Sequence, residues 1–283
     1  MNPYYSIILE QTGLNAFKEL ISKWHTLADT LTEKTSNLPI LLPDIFLVSQ
    51  SGSGRTLLVK LLAEYLSYDE KLMDFYGDVK YFEFLLNYCS PREHFTEIER
   101  LMTEVSDAAG FRNEFKGIIF IDINEWVGHC EEKHFLDFLE YLADNSDNWL
   151  VVLSVNEAAS ERIAPLRSLI SAFLRIESVT IEAPTVDELS NYLFDMIMAY
   201  HFTLDDRAQD LLKQTVATFC ADAHFDGYKT IKRLAQDIVY SLYCQKVCPN
   251  TRLYANDVEA FSSDSLYVKR TLTKIKTTKK IGF

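Results

Sequence analysis

The sequence predicts an α/β protein, a parallel sheet sandwiched by helices and followed by a small all-helical domain. Three observations carry that expectation. Short apolar runs alternate with amphipathic helical stretches as far as Pro184, and beyond it only helical spacing continues. The run "KGIIFIDI" (Lys116–Ile123) is almost wholly apolar and has an acid near its end, as expected of a central parallel strand covered on both faces. The stretch "SQSGSGRTLL" (Ser49–Leu58) sets a glycine-containing loop between one such run and a helix.

In chain order, residues 15–32 place Phe17, Leu20, Ile21, Trp24, Leu27, Ala28 and Leu31 at helical spacing, and a polar link with Pro39 and Pro43 follows. Asp44–Ser49 ("DIFLVS") reads as a short buried strand. Arg55–Leu66 reads as a helix apolar on most sides and therefore packed under the sheet. Lys80–Leu86 is a second strand and Pro91–Ala109 a helix. After Lys116–Ile123 come a helix near Glu131–Ala143, a buried strand at Trp149–Val155, a further helix, and a last strand at Glu177–Pro184. Thr185 and Glu188 have capping-box spacing and open a helix to about Tyr200. Thr203–Asp206 repeats the signal ahead of "AQDLLKQTVATFC". "YKTIKRLAQDIVYSLYCQKV" is a third amphipathic helix and "NDVEAF" a short fourth. The expected boundaries are 1–184 for the α/β domain with its N-terminal helix, 185–262 for the helical domain and 263–283 for a basic tail.

Composition agrees with this plan. Of 283 residues 48% are hydrophobic, with 18 Phe and 15 Tyr, so the chain is globular; 9 Gly and 7 Pro leave short connections. The net charge of −13 excludes a protein that coats nucleic acid over its whole surface. The tail differs: Lys269, Arg270, Lys274, Lys276, Lys279 and Lys280 stand there without an acid, as a frayed terminus or as an arm for an acidic neighbour, a nucleic acid or an anionic membrane. No apolar run reaches the roughly 18 residues needed to span a bilayer, and "MNPYYSIILEQTG" lacks a signal peptide's basic start and cleavage site, so a cytoplasmic location is expected. Cys89, Cys130, Cys220, Cys244 and Cys248 are odd in number with no C-x-x-C pair, which argues against a disulfide framework. Cys244 and Cys248 are expected to share a helix face, and the sparse His129, Cys130 and His134 group makes a poor zinc site.

The loop has the outline G-x-x-x-x-G-K-[ST], with Ser49 at the first glycine and Arg55 at the lysine. Such a loop suits phosphate, because main-chain N–H groups and a helix N-terminus converge on the anion. Gly52, Ser53 and Gly54 supply the backbone, with Arg55, Thr56 and Leu57 following in the first turn of the helix. Thr56 stands where a hydroxyl meets Mg²⁺, and Asp122 ends a strand where an acid holds the metal's water shell.

On these residues the chain resembles the AAA+ superfamily of P-loop ATPases, and more narrowly its small stand-alone bacterial members such as rubisco activases and a sporulation ATPase. The resemblance runs from about Leu9 to Val258. "LEQTGLNAFKELI" is similar to the opening segment that covers the adenine, which implies Gly13 and Leu14. "IIFIDINEW" resembles the Walker B stretch, "VVLSVNE" the sensor 1 strand with Ser154 or Asn156, "PLRSLISAF" the element carrying the arginine finger, and "DGYKTIKRL" the lid segment that puts Lys229 at sensor 2. The implied ligand is ATP or ADP with Mg²⁺ held through Thr56 and Asp122. The plainer readings are a helix cap for Asn156 and an exposed lid lysine for Lys229.

The departures fall together. The Walker A lysine is Arg55, the Walker B glutamate falls on Ile123, the finger on Ala172 with Arg167 and Arg175 out of register, and sensor 2 is Lys229 in place of Arg. No residue is assigned as catalytic; Glu125, two residues past the glutamate position, is the nearest acid, and a solvent-facing acid at a strand end is its plainer reading. The favoured expectation is a nucleotide-binding, hydrolysis-impaired subunit that partners other AAA+ protomers, among them an active paralogue, toward an unknown protein client. The alternatives are an active ATPase remodelling a protein partner, with Arg55 and Glu125 in substitute roles, and a nucleic-acid adaptor using the basic tail.

Overall fold

The computed structural model describes residues 2–11, 14–33, 42–50, 52–68, 72, 80–86, 100, 103, 117–144, 149–156, 160–222 and 225–280. These fall into two units, Met1–Gln50 with Arg55–Glu182, and Ser51–Gly54 with Ala183–Phe283.

The first unit is a five-stranded parallel sheet in the order β2–β3–β4–β1–β5. Its strands are β1 (Asp44–Ser49), β2 (Lys80–Leu85), β3 (Gly117–Asp122), β4 (Trp149–Asn156) and β5 (Ile176–Ile181). Side chains alternate along a strand, so an apolar run fills two cores at once. Ile45 and Leu47 of β1, Ile118 and Phe120 of β3, and Leu150 and Val152 of β4 face one side. There they meet α1 (Pro3–Glu10), α2 (Asn15–Glu33) and α3 (Arg55–Tyr68) through Ile8, Phe17, Leu20, Trp24, Leu58 and Leu62. Phe46, Val48, Ile119, Ile121, Val151 and Leu153 face the other, under α4 (Lys133–Asp144) and α5 (Ser160–Phe173). Each such large side chain, fully buried, contributes about 1.5–3 kcal/mol.

Helix α1 is not among the elements the sequence reading identified. Asn2 caps it by accepting from the Tyr4 N–H at 3.0 Å, Pro3 takes the first helical position, and the Asn2 amide also donates to the Tyr65 carbonyl of α3 at 2.9 Å. The helix expected over Pro91–Ala109 lies outside the described residues, Arg100 and Thr103 apart.

The second unit is built on α6 (Val186–Ala199), α7 (Asp206–Cys220), α8 (Gly227–Cys244), the single-turn α9 (Ala255–Val258) and α10 (Leu266–Lys280), with a two-residue parallel pair of β6 (Thr203–Leu204) and β7 (Arg252–Leu253). Its core gathers Leu193, Ile197, Phe202, Leu212, Phe219, Ile231, Ile238 and Val258. The capping box forms as spaced: Thr185 Oγ1 accepts from the Glu188 N–H at 3.2 Å and Glu188 accepts from the Thr185 N–H at 2.7 Å. Asp205 caps α7 through the Ala208 N–H at 2.8 Å. Two helices end in Schellman turns without glycine, with His201 (φ 65°) after α6 and Lys246 (φ 60°) after α8. The second of these corrects one expectation. Chain reversal at Lys246 carries Cys248 off the helix, so Cys244 and Cys248 do not share a helix face, and both are exposed.

The basic tail is helical in α10 as far as Lys280. Val268 is buried in the second core, Tyr267 donates to Asp237 at 2.6 Å, and Lys269 and Arg270 are exposed. No helix among the described residues is long and apolar enough to cross a membrane.

Candidate functional site

A parallel sheet sends all its strand ends to one edge, and ligands of such folds sit beyond the carboxyl ends. At that edge β1 ends in Ser49, β3 in Asp122 and β4 in Asn156. The register pairs Ser49 with Asn156 and Asp122 with Ser154. β4 lies between β1 and β3, so its last residues separate the loop strand from the acid strand.

Arg55, the first residue of α3, reaches this edge. Its Nη1 donates to Asp122 Oδ2 at 3.1 Å and to Ser154 Oγ at 2.9 Å. The Arg55 and Asp122 side chains are 19% and 18% exposed, so the pair is far better shielded than a surface ion pair, and Ser154 is fully buried. A hydrogen bond to a charged group in such a setting contributes roughly 1.5–3 kcal/mol. The other oxygen, Asp122 Oδ1, accepts from the Asn124 N–H at 3.0 Å, and Asn124 Oδ1 accepts from the Asn156 N–H at 3.2 Å. Asn124 thereby ties the ends of β3 and β4 together. Sequence reasoning passed over it, although the D-x-N spacing of Asp122 and Asn124 is the signal of a side chain turning back onto its own backbone.

The remaining site residues fall as follows. Ile123, at the glutamate position, is fully buried in the second sheet-face core. A single 3₁₀ turn, Asn124–Trp126, follows it, and burial of Ile123 and Trp126 leaves Glu125 between them exposed. Thr56 and Leu57 are exposed on the first turn of α3, Leu57 by 51%. Asn156 Oδ1 is buried without a partner among the described residues, and so is the Ser49 hydroxyl. The three residues after Asn156 lie outside those described, so a capping role there has no description. Leu14 sits at φ 60° and packs on the first core; Gly13 lies outside the described residues. Ala172 is exposed in the last turn of α5, and Arg167 and Arg175 are exposed on either side of it in sequence.

The loop residues Gly52–Gly54 group with the second unit. Gly52 (φ 76°) presents its carbonyl to the Tyr228 N–H at 3.1 Å, and a Cβ on it would clash with the Asp226 carbonyl oxygen. Glycine is therefore required there by conformation and by space. Gly54 (φ 90°) faces open space, with nothing within 4 Å of an added Cβ. The Ser53 hydroxyl is buried without a partner among the described residues. Lys229, exposed in the first turn of α8, is a cation at the positive end of a helix dipole, where charge works against folding unless an anion is met.

Phosphate fits the start of α3: its first-turn amides have no acceptors within the helix, and Arg55 adds a cation. Mg²⁺ does not fit at Asp122. One oxygen of that carboxylate already faces a guanidinium and the other an amide. Among the described residues no three His, Cys, Asp or Glu side chains come close enough to hold a metal. A shallow depression of about 600 Å³ along α2, lined by Asn15, Lys18, Glu19, Ser22, Lys23 and Thr26, draws its walls from one helix and brings no such chemistry together.

Compared as sequence, the chain matches no protein-family model and no curated protein. Compared as structure, it superposes on PCH-2 of C. elegans with a TM-score of 0.57 and 16% identity, over 92% of this chain and 70% of that one. It also superposes on the RuvB Holliday junction branch migration motor of Thermotoga maritima, with a TM-score of 0.52 and 14% identity, over 94% of this chain and 78% of that one. At these identities the likeness shows the fold, which is the AAA+ P-loop fold.

Proposed function

We propose that this chain is an AAA+-type subunit that binds ATP or ADP, hydrolyses it weakly or not at all, and serves as a structural or regulatory member of an oligomeric assembly. The observation that supports this most is the Arg55–Asp122–Ser154 cluster, in which the residues placed to act on a terminal phosphate hold each other. Main-chain amides in the first turn of α3 bind the phosphates, and they survive every substitution. What is lost acts only on cleavage. Ile123 is an apolar, buried residue where an acid would polarise water, and Ala172 offers no guanidinium to a neighbour. Removal of one preorganised donor costs about 10²–10³ in rate and of an arginine finger roughly 10³–10⁵. Losses of that size leave binding and remove turnover. An active paralogue in the same assembly would supply the finger and the acid that this chain lacks, and the assembly would act on a protein client.

The test is a melting curve with ADP, with ATP and with neither, beside a turnover assay at saturating ATP and Mg²⁺. Nucleotide that binds the folded state alone raises the melting point. The expected result is such a rise with phosphate release at background. Brisk release that Asp122→Ala abolishes would overturn the proposal.

A second reading rests on α10, whose exposed Lys269 and Arg270 form a basic face on an acidic chain. That face suits a nucleic-acid backbone. Because Tyr267 and Val268 belong to the second core, truncation there would damage the fold, and Lys269→Glu with Arg270→Glu is the cleaner probe. Salt-sensitive DNA or RNA binding lost in that double variant would favour this reading; absence of binding in the unaltered chain would remove it.

A further inference from the structure

We infer that the Arg55 guanidinium takes the place of a divalent cation at Asp122, so that this chain receives nucleotide phosphates without a metal ion. The inference deepens the nucleotide-binding reading above and rests on it.

A divalent cation needs Asp122 to turn a free, negatively charged oxygen toward it. Here Oδ2 is 3.1 Å from Arg55 Nη1, and Oδ1 is held 3.0 Å from the Asn124 N–H by a turn of the backbone itself. Freeing Oδ1 would require β3 to end differently. Freeing Oδ2 would require Arg55 to leave, and the arginine has a second anchor, since the same nitrogen donates to Ser154 Oγ at 2.9 Å on the neighbouring strand. Ser154 is fully buried and its position is set by the register with Asp122, so this acceptor does not move away. A lysine here could swing its ammonium off on a flexible stem; the rigid guanidinium plane fixes the two N–H groups of Nη1 on their two acceptors. A cation approaching Asp122 would meet a fixed positive charge in contact with its intended ligand.

The same arrangement shows what replaces the metal's charge. Nη1 uses its two hydrogens on Asp122 and Ser154. Nη2 and Nε make no hydrogen bond among the described residues, and they carry three more N–H donors, in the planar geometry that fits a phosphate. Arg55 is thus anchored by one nitrogen, and its other two have no partner among the described residues. Asp122 acts as a positioning residue that orients Arg55, and Thr56, exposed on the next position of the helix, has no metal to bind.

The test is calorimetric titration of the full-length chain with ADP and with ATP, once in excess EDTA and once in excess MgCl₂. The expected dissociation constants agree within about twofold between the two solutions. The Asp122→Asn variant carries the sharper prediction, because the two views give it opposite signs. If Asp122 positions Arg55, its neutralisation leaves the arginine more charge to spend on phosphate, and affinity in EDTA rises by roughly fivefold. If Asp122 holds a metal, the same variant weakens binding in MgCl₂ and changes nothing in EDTA. Arg55→Lys is expected to introduce a preference for MgCl₂ that the unaltered chain lacks. A melting curve of each variant separates these effects from misfolding. Binding by the unaltered chain that tightens about tenfold or more with MgCl₂ overturns this inference and leaves the nucleotide-binding reading standing. No binding in either solution overturns that reading, and the inference falls with it.

Discussion

Two aspartates sit at opposite edges of one sheet and are accommodated by opposite means. Asp44 opens β1 at the amino edge, 6% exposed, and its Oδ1 accepts the Val151 N–H at 2.8 Å. No cation comes within ion-pair reach of it among the described residues, and burial pushes its carboxyl up to about 7, against which the single amide bond pulls down weakly. Asp122 closes β3 at the carboxyl edge, is somewhat less buried, and has a guanidinium, an amide and a fixed neighbouring hydroxyl around it. A carboxyl in a sheet can be made tolerable by a proton or by a counter-charge. The proton suffices where the residue only begins a strand; the counter-charge appears where three polar strand ends converge.

The contrast can be broken by experiment, beginning with Asp44. Its folded-state carboxyl titrates near 7 against an ordinary 3.8. Between those values the folded protein binds a proton that the unfolded chain does not, so stability falls as pH rises through this window, by up to about 4 kcal/mol, and stays lower above it. Asp44→Asn is expected to flatten that dependence and to gain most of the difference at mildly alkaline pH, as read by urea unfolding across the range. Equal pH profiles for the two proteins would show that Asp44 is not held neutral.

A smaller effect is expected at the other edge. Arg55→Met leaves Asp122 shielded without its counter-charge and is expected to lower stability by about 2 kcal/mol, while adding Asp122→Asn restores at least half of the loss. A double-mutant cycle with no coupling would mean that the pair does not act as a unit. Smallest of the three is Asn124→Ala. It deletes the acceptor of the Asn156 N–H but keeps the backbone bond to Asp122, at a cost of about 1 kcal/mol and with the pH profile of Asp44 unchanged. A loss as large as that of Arg55→Met would show that Asn124 bears more of the β3–β4 junction than its one side-chain bond suggests.

How much of this could be read in the sequence depended on the range of the interaction. The three central strands, β1, β3 and β4, were legible because each is buried on both faces, so "DIFLVS", "GIIFID" and "WLVVLSV" stand out as apolar runs. The helices of the second unit were legible through local spacing and through caps such as Thr185 with Glu188. Helix α1 was missed although Asn2 and Pro3 are an ordinary start signal, because its apolar face is short and only Ile8 is buried on it. The shared helix face expected of Cys244 and Cys248 failed on Lys246, a lysine in a left-handed turn that favours glycine. At the site the residues themselves were legible, Arg55 and Asp122 included, but their partnership was not. It joins positions 67 and 99 apart in sequence, and no local pattern announces that Arg55, at the start of α3, lies within reach of Asp122, at the end of β3.

The insertion of β4 between β1 and β3 has a consequence for the order in which the molecule is made. When a growing chain has produced everything up to Asp122, β2 and β3 can already pair, but β1 has neither of its two neighbours, since both β4 and β5 are still to come. Only after residue 156 has cleared can a single strand stitch the two halves together, and Ser154 arrives on that strand. Arg55 and Asp122 therefore wait, in the half-built protein, on opposite sides of a gap. Long-range parallel pairing of this kind is slow, and for as long as it takes the apolar edges of β1 and β3 stand open to chaperones or to one another's copies.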